Sequence, residues 1–138
     1  MGIEEIAREY FEAWNMRDFD RIAALVADDA EIIDFDGTVE HGREGARHQS
    51  ERYATAFPDG RLEIKRIVTA GDTAVAELVG RGTNDGPFGD MPATHRSAEL
   101  PFCDVLTFED EKIVRDRQYG DTATLLAQLG LMPETAHA

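Results

Sequence analysis

Leu100-Pro101-Phe102-Cys103-Asp104-Val105-Leu106-Thr107-Phe108 reads as a β-strand that is apolar on both alternating faces, with a single acidic group, Asp104, at its centre. Side chains alternate along a strand, so Leu100, Phe102, Asp104, Leu106 and Phe108 share one face. The carboxyl group therefore lies on a hydrophobic surface, where its charged form is disfavoured. It is either a structural acid satisfied by the neighbouring strand or a group with a task. Cys103, Val105 and Thr107 fall on the opposite face. In a small domain the economical cover for such a face is a second copy of the chain, so we expect a homodimer joined through the outer sheet face.

Working back from this strand, the pattern alternates as far as Leu62. Leu62, Ile64 and Val68 mark one strand, and Val75, Ala76, Leu78 and Val79 another, joined by a hairpin at Gly71-Asp72. Gly80 to Arg96 is rich in glycine, contains Pro87 and Pro92, and reads in its middle as a long hairpin loop or flap. The last strand spans Ile113 to Tyr119. A short helix over Thr122 to Leu129 then ends at Gly130, which suits a left-handed C-cap, with Pro133 preventing continuation and residues 134–138 frayed.

Before Leu62 the period is helical. Ile3, Ile6, Ala7, Tyr10 and Trp14 predict a helix over Ile3 to Asn15. Asp18 is a candidate N-cap for a second helix, with Phe19, Ile22, Ala23 and Val26 on its apolar face and its end at a solvated acidic turn, Asp28-Asp29. A short strand, Glu31 to Phe35, runs into the turn-like Asp34-Phe35-Asp36-Gly37. A third helix follows Gly42, carries Ala46, Gln49, Tyr53 and Phe57, and stops at Pro58-Asp59-Gly60. Helices first and strands afterwards give an α+β fold, with N-terminal helices packed on an antiparallel (mixed) sheet.

The 138 residues, 42% of them apolar, fit one domain over residues 1–133. Twenty-eight acids against fourteen Lys and Arg give a net charge of −14, which argues against nucleic acid and anionic membranes as partners. One cysteine, with no leader-like or long apolar stretch, suggests a cytoplasmic setting. His41, His48, His95 and His137 lack metal-ligand spacing, and no strand precedes a glycine-rich phosphate loop, so neither metal nor cofactor is expected.

Three polar groups are expected at inward or cavity-edge positions: Tyr10, Asp34 and Asp104. An aspartate near solvent stays ionised and can remove a proton, while a tyrosine and a protonated aspartic acid in apolar surroundings can donate hydrogen bonds to an oxygen gaining charge. Asp34 has a second reading, a turn aspartate bonded to local backbone. The hairpin register matters as much. A two-residue turn at Asp110-Glu111 places Arg117 opposite Asp104, as an ion pair, whereas a three-residue turn places Gln118 there. We expect the second, because it keeps Arg115 and Arg117 off the cavity face; it also brings Asp116 toward the cavity mouth.

Arg8-Glu-Tyr-Phe-Glu-Ala-Trp-Asn15, Arg17-Asp-Phe-Asp20 and Ala27-Asp-Asp-Ala-Glu-Ile-Ile-Asp34 resemble the opening of ketosteroid isomerases of the nuclear transport factor two-like superfamily. Gly82-Thr-Asn-Asp-Gly-Pro-Phe-Gly89, Met91-Pro-Ala-Thr94 and the ending Asp121 to Gly130 look like SnoaL-like polyketide cyclases. The resemblance implies a cone-shaped α+β barrel enclosing a hydrophobic cavity. It also implies a proton-transfer enzyme, isomerase or aldol-type cyclase, acting on a steroid- or polyketide-like carbonyl compound. By motif, Asp34 would be the base, with Tyr10 and neutral Asp104 stabilising the enolate. Trp14, Phe57, Phe88 and Phe102 would line the cavity, Phe88 as a lid, beside Asp116 and Gln118. The histidine and aspartate of the cyclases correspond here to Asp104 and Gln118, and the third-helix tyrosine of some isomerases to Ser50. The alternatives are a binding module without turnover and, less favoured, an epoxide hydrolase, whose Asp-Arg-Asp arrangement the adjacent Asp116 and Arg117 do not suit.

Overall fold

In a computed structural model, which describes residues 2–132, the chain runs α1 (Ile3–Asn15), α2 (Phe19–Ala24), β1 (Val26–Ile33), β2 (Val39–His41), α3 (Gly42–Ala56), β3 (Arg61–Ala70), β4 (Thr73–Thr83), β5 (Ser97–Glu109), β6 (Lys112–Gly120) and α4 (Thr122–Gln128). The strands form one mixed sheet in the order β2-β1-β6-β5-β4-β3, antiparallel except for the β1–β6 pair. The sheet does not close on itself: β2 and β3 are its free edges, and the helices complete the enclosure of the core.

The core is the layer between α1 to α3 and the inner sheet face, built from Ile6, Ala7, Phe11, Ile22, Ile32, Leu78, Leu106, Phe108 and Ile113 among others. Asp18 caps α2, its side chain accepting from the Arg21 amide at 3.1 Å. The helix ends at Ala24, four residues short of the expected acidic turn. Val26 is buried as expected, but as the first residue of β1. Asp28 and Asp29 are exposed residues of that strand. Ala30 and Ile32 alternate inward with them, and this period of two prevails over the helical spacing.

Two bulges set the inner face. On β3, Lys65 is the extra residue between Ile64 and Arg66, so Ile67 packs on the core and Val68 is turned out to solvent. On β6, Phe108 pairs with Ile113 but Thr107 pairs with Arg115, leaving Val114 as the extra residue. The connection is a two-residue turn, Asp110 and Glu111 both having positive φ (50° and 62°), as the hairpin twist favours. The bulge, rather than a longer turn, shifts the register by one. Asp104 consequently faces Gln118, and Arg117 faces Val105 on the outer side.

The loop after β4 is anchored by buried Asn84. Its Nδ2 donates to the Ala56 and Gly86 carbonyls (3.1 and 2.9 Å), and its Oδ1 accepts from the Thr94 amide and hydroxyl (2.9 and 3.0 Å). Beyond this base, Phe88 and Met91 bond to each other through their backbones. Gly130, with φ 75°, terminates α4 in the left-handed conformation expected of it. Pro133 and the tail lie outside the described residues. No helix among those described is long and apolar enough to cross a membrane.

Candidate functional site

Asp104 on β5 and Asp116 on β6 sit on the inner face, 2% and 1% exposed. The sequence expectation puts Asp116 near the cavity mouth; the Val114 bulge instead carries it to the floor, beside Asp104. Burial pushes the Asp104 carboxyl well above the usual range, and the neighbouring Asp116 pushes it further. Asp116 is raised too, again by burial, but hydrogen bonds from Asp104, Tyr10 and Gln118 partly offset this. Asp116 accepts from Tyr10 and Gln118, donors that favour its charged form, and this geometry favours Asp104 as the protonated member and Asp116 as the acceptor. One oxygen of each, Asp104 Oδ1 and Asp116 Oδ1, is buried without a donor among the described residues. A single proton held by the pair is the economical way to satisfy two acids in a low-dielectric site.

Tyr10, on α1, donates its hydroxyl to Asp116 Oδ2 at 2.8 Å, and burial first, then Asp116, holds its pKa well above the ordinary value. Its single proton is committed to a carboxylate. Gln118 Nε2 lies 3.5 Å from the same oxygen and donates to Gln49 Oε1 on α3 at 2.7 Å. The floor of the site is therefore one connected network of Tyr10, Asp116, Asp104, Gln118 and Gln49.

Above it is a cavity of about 150 Å³. Its walls include Trp14, Phe35, Tyr53, Phe57, Leu100 and Phe102. Trp14 is fixed by donating Nε1 to the Ser50 carbonyl at 3.1 Å. Phe35 meets Phe102 edge to face, ring centres 5.5 Å apart, and reaches it over Gly120, where a Cβ would lie 2.8 Å from the Phe35 ring.

Asp34 and Phe88 are not on the cavity surface. Asp34 is buried just past the end of β1, where Oδ2 accepts from Arg52 at 2.6 Å and Oδ1 from the Tyr53 hydroxyl and the Phe35 amide, both at 2.7 Å. Phe88 packs on the outside of Tyr53, ring centres 5.0 Å apart, with the Arg52 guanidinium 5.3 Å from its own ring. Tyr53, one turn beyond Ser50, is thus a third-helix tyrosine facing the cavity. Sequence reasoning passed over it and Gln49 as site residues, although both lie on the apolar face of the α3 pattern. Arg117 is on the far side of the sheet, where it donates to the Asp34 carbonyl at 3.4 Å.

The family model for SnoaL-like polyketide cyclases matches residues 4–129. IdmH from Streptomyces antibioticus, a proposed polyketide cyclase, is 29% identical with a TM-score of 0.79, over 94% of this chain and 99% of that one. A protein of ketosteroid isomerase-like fold from Catenulispora acidiphila, solved with trimethylamine, is 25% identical with a TM-score of 0.80, over 93% and 94%. A SnoaL-like protein from Jannaschia sp. CCS1 has a TM-score of 0.86 at 19% identity, over 95% and 93%, a likeness of fold alone. No curated protein is a significant match.

Proposed function

We propose that this chain is a proton-transfer enzyme of the cyclase type, acting on a small hydrophobic carbonyl compound. The chain belongs to the SnoaL-like polyketide cyclase family, which includes polyketide cyclases, and the observation that carries the reading is the buried Asp104–Asp116 pair under an apolar cavity. The base in this reading is Asp116 rather than Asp34. Asp116 is the acceptor of the pair and borders the cavity, whereas Asp34 is occupied by Arg52, Tyr53 and the Phe35 amide.

The steps follow from the single shared proton. Asp116 removes a proton from the carbon next to a substrate carbonyl, so that a C–H bond breaks and an enolate forms. Asp104, no longer needed as donor to Asp116, turns its proton to the enolate oxygen. In an aldol-type closure the enolate carbon then bonds to a second carbonyl carbon, and the resulting alkoxide takes a proton from the pair. A 150 Å³ cavity is below the roughly 300–1,000 Å³ usual for drug-sized ligands, so it suits the reacting end of a substrate rather than a whole steroid.

The test is exchange of the α-hydrogens of 2-tetralone, a compact ketone, for solvent deuterium. Wild-type protein should catalyse exchange, and Asp116→Asn should slow it by about 10²–10⁴-fold. Exchange no faster than in buffer, or an undiminished rate in Asp116→Asn, would contradict the assignment.

A further inference from the structure

On the floor and walls of the cavity, the donors of Tyr10, Tyr53, Trp14 and Gln118 are committed. The Tyr10 hydroxyl is on Asp116, the Tyr53 hydroxyl on Asp34, the Trp14 indole on the Ser50 carbonyl, and the Gln118 amide on Gln49 and Asp116. Gln49 differs. It borders the cavity, is 6% exposed, and accepts from Gln118 through Oε1, while its Nε2 is buried and has no acceptor among the described residues. A buried amide donor left unpaired is rare in native structures, and where one borders a ligand cavity the missing acceptor is most simply a ligand atom. Its neighbour on α3, Ser50, also borders the cavity.

We propose that Gln49 is a substrate-binding residue, donating from Nε2 to the carbonyl oxygen whose neighbouring carbon loses its proton. This rests on the proton-transfer reading for its role in turnover, but the binding itself does not depend on turnover. The Gln118 bond fixes which end of the Gln49 amide faces the site: Oε1 is held by Gln118, so Nε2 is the end left for a ligand. In this arrangement Tyr10 acts on Asp116, and recognition of the substrate oxygen passes to α3. The site should therefore discriminate between a ketone and a hydrocarbon of the same shape, because only the ketone can accept from Gln49.

The experiment compares 2-tetralone with tetralin, its hydrocarbon counterpart, in wild type, Gln49→Leu and Gln49→Met. Gln49→Met keeps the length of the side chain and a weak thioether acceptor for Gln118 while removing the donor, so a merely structural role would largely survive it. Wild type should bind 2-tetralone about ten times more tightly than tetralin, the magnitude of one hydrogen bond. Both variants should lose most of that preference with the tetralin affinity unchanged. The carbonyl stretch of bound 2-tetralone should lie at lower frequency in wild type than in either variant. An equal preference and an equal stretch in wild type and Gln49→Met would overturn the proposal. If the preference depends on Gln49 but wild type catalyses no deuterium exchange, the binding role stands and the proton-transfer reading falls. If exchange is present and Gln49 leaves the stretch unmoved, the reverse holds.

Discussion

Asp104 and Gln118 face each other across β5 and β6 because Val114 is bulged out of the ladder. That one extra residue decides the chemistry of the floor. It puts Arg115 and Arg117 on the outer face and Asp116 inside, so the buried acid meets an amide and a second carboxyl instead of a guanidinium.

Tyr10→Phe removes a donor that favours the charged form of Asp116. The pKa of Asp116 should rise, and the acid limb of the exchange-rate profile should move to higher pH. The maximal rate should fall by about tenfold, and stability by about 1 kcal/mol. A rate loss without movement of the limb would mean that Tyr10 acts elsewhere.

Stability should fall as pH rises. The folded pair holds a proton that the unfolded carboxylates release near pH ~4, so the folded state binds more protons and its advantage is lost as pH climbs from there through the raised folded value. Asp104→Asn removes the group with the larger shift. Its unfolding free energy from denaturant titration should depend less on pH and, near pH 8, exceed that of wild type by about 1 kcal/mol or more. A wild-type midpoint that rises from pH 5 to pH 8 would contradict the protonated assignment.

Asp34→Asn should affect the fold more than the chemistry. It leaves Arg52, 28% exposed at its side chain, without its carboxylate, and weakens the bond from Tyr53. A stability loss of about 1–3 kcal/mol, with exchange within roughly tenfold of wild type, is expected from thermal melts and kinetics. A loss of orders of magnitude in rate with an unchanged melt would restore Asp34 as the base.

Asn84→Ala should free the loop. Four side-chain hydrogen bonds join it to the end of α3, the loop itself and Thr94, and their loss should cost about 2–4 kcal/mol and expose amides 84–96 to hydrogen exchange. Unchanged protection would mean that the loop is held from elsewhere.

The outer sheet face presents half-buried Val75, Cys103, Val105 and Thr107 in adjacent rows, and a second copy is the proposed cover. Light scattering at micromolar concentration should report a dimer, and Val105→Arg should give a folded monomer. A wild-type monomer would refute the expectation.

The helices were legible because tertiary packing follows the same 3.6-residue period that the sequence displays, as in Ile6, Tyr10 and Trp14. The end of α2 was not. Phe19, Ile22, Ala23 and Val26 continue a helical spacing, yet Ala30 and Ile32 need β1 on the sheet, and nothing local marks the switch at Leu25. Asp104 could be recognised by its apolar strand neighbours. The depth of Asp116 could not, because it depends on the bulge at Val114, and a bulge carries no residue signature when its extra residue is an ordinary β-former. Asp34 was visible as an acid at a strand end, but its partners Arg52 and Tyr53 come from α3, and only the packing of α3 on β1 brings them together.

The central claim is that the floor pair holds one proton at neutral pH, on Asp104, with Asp116 as its acceptor. Infrared difference spectroscopy of wild type against Asp104→Asn measures this directly. The account predicts a carboxylic-acid carbonyl band in wild type at pH 7 that is absent from Asp104→Asn; a wild-type spectrum with no such band, both acids being ionised, would contradict it.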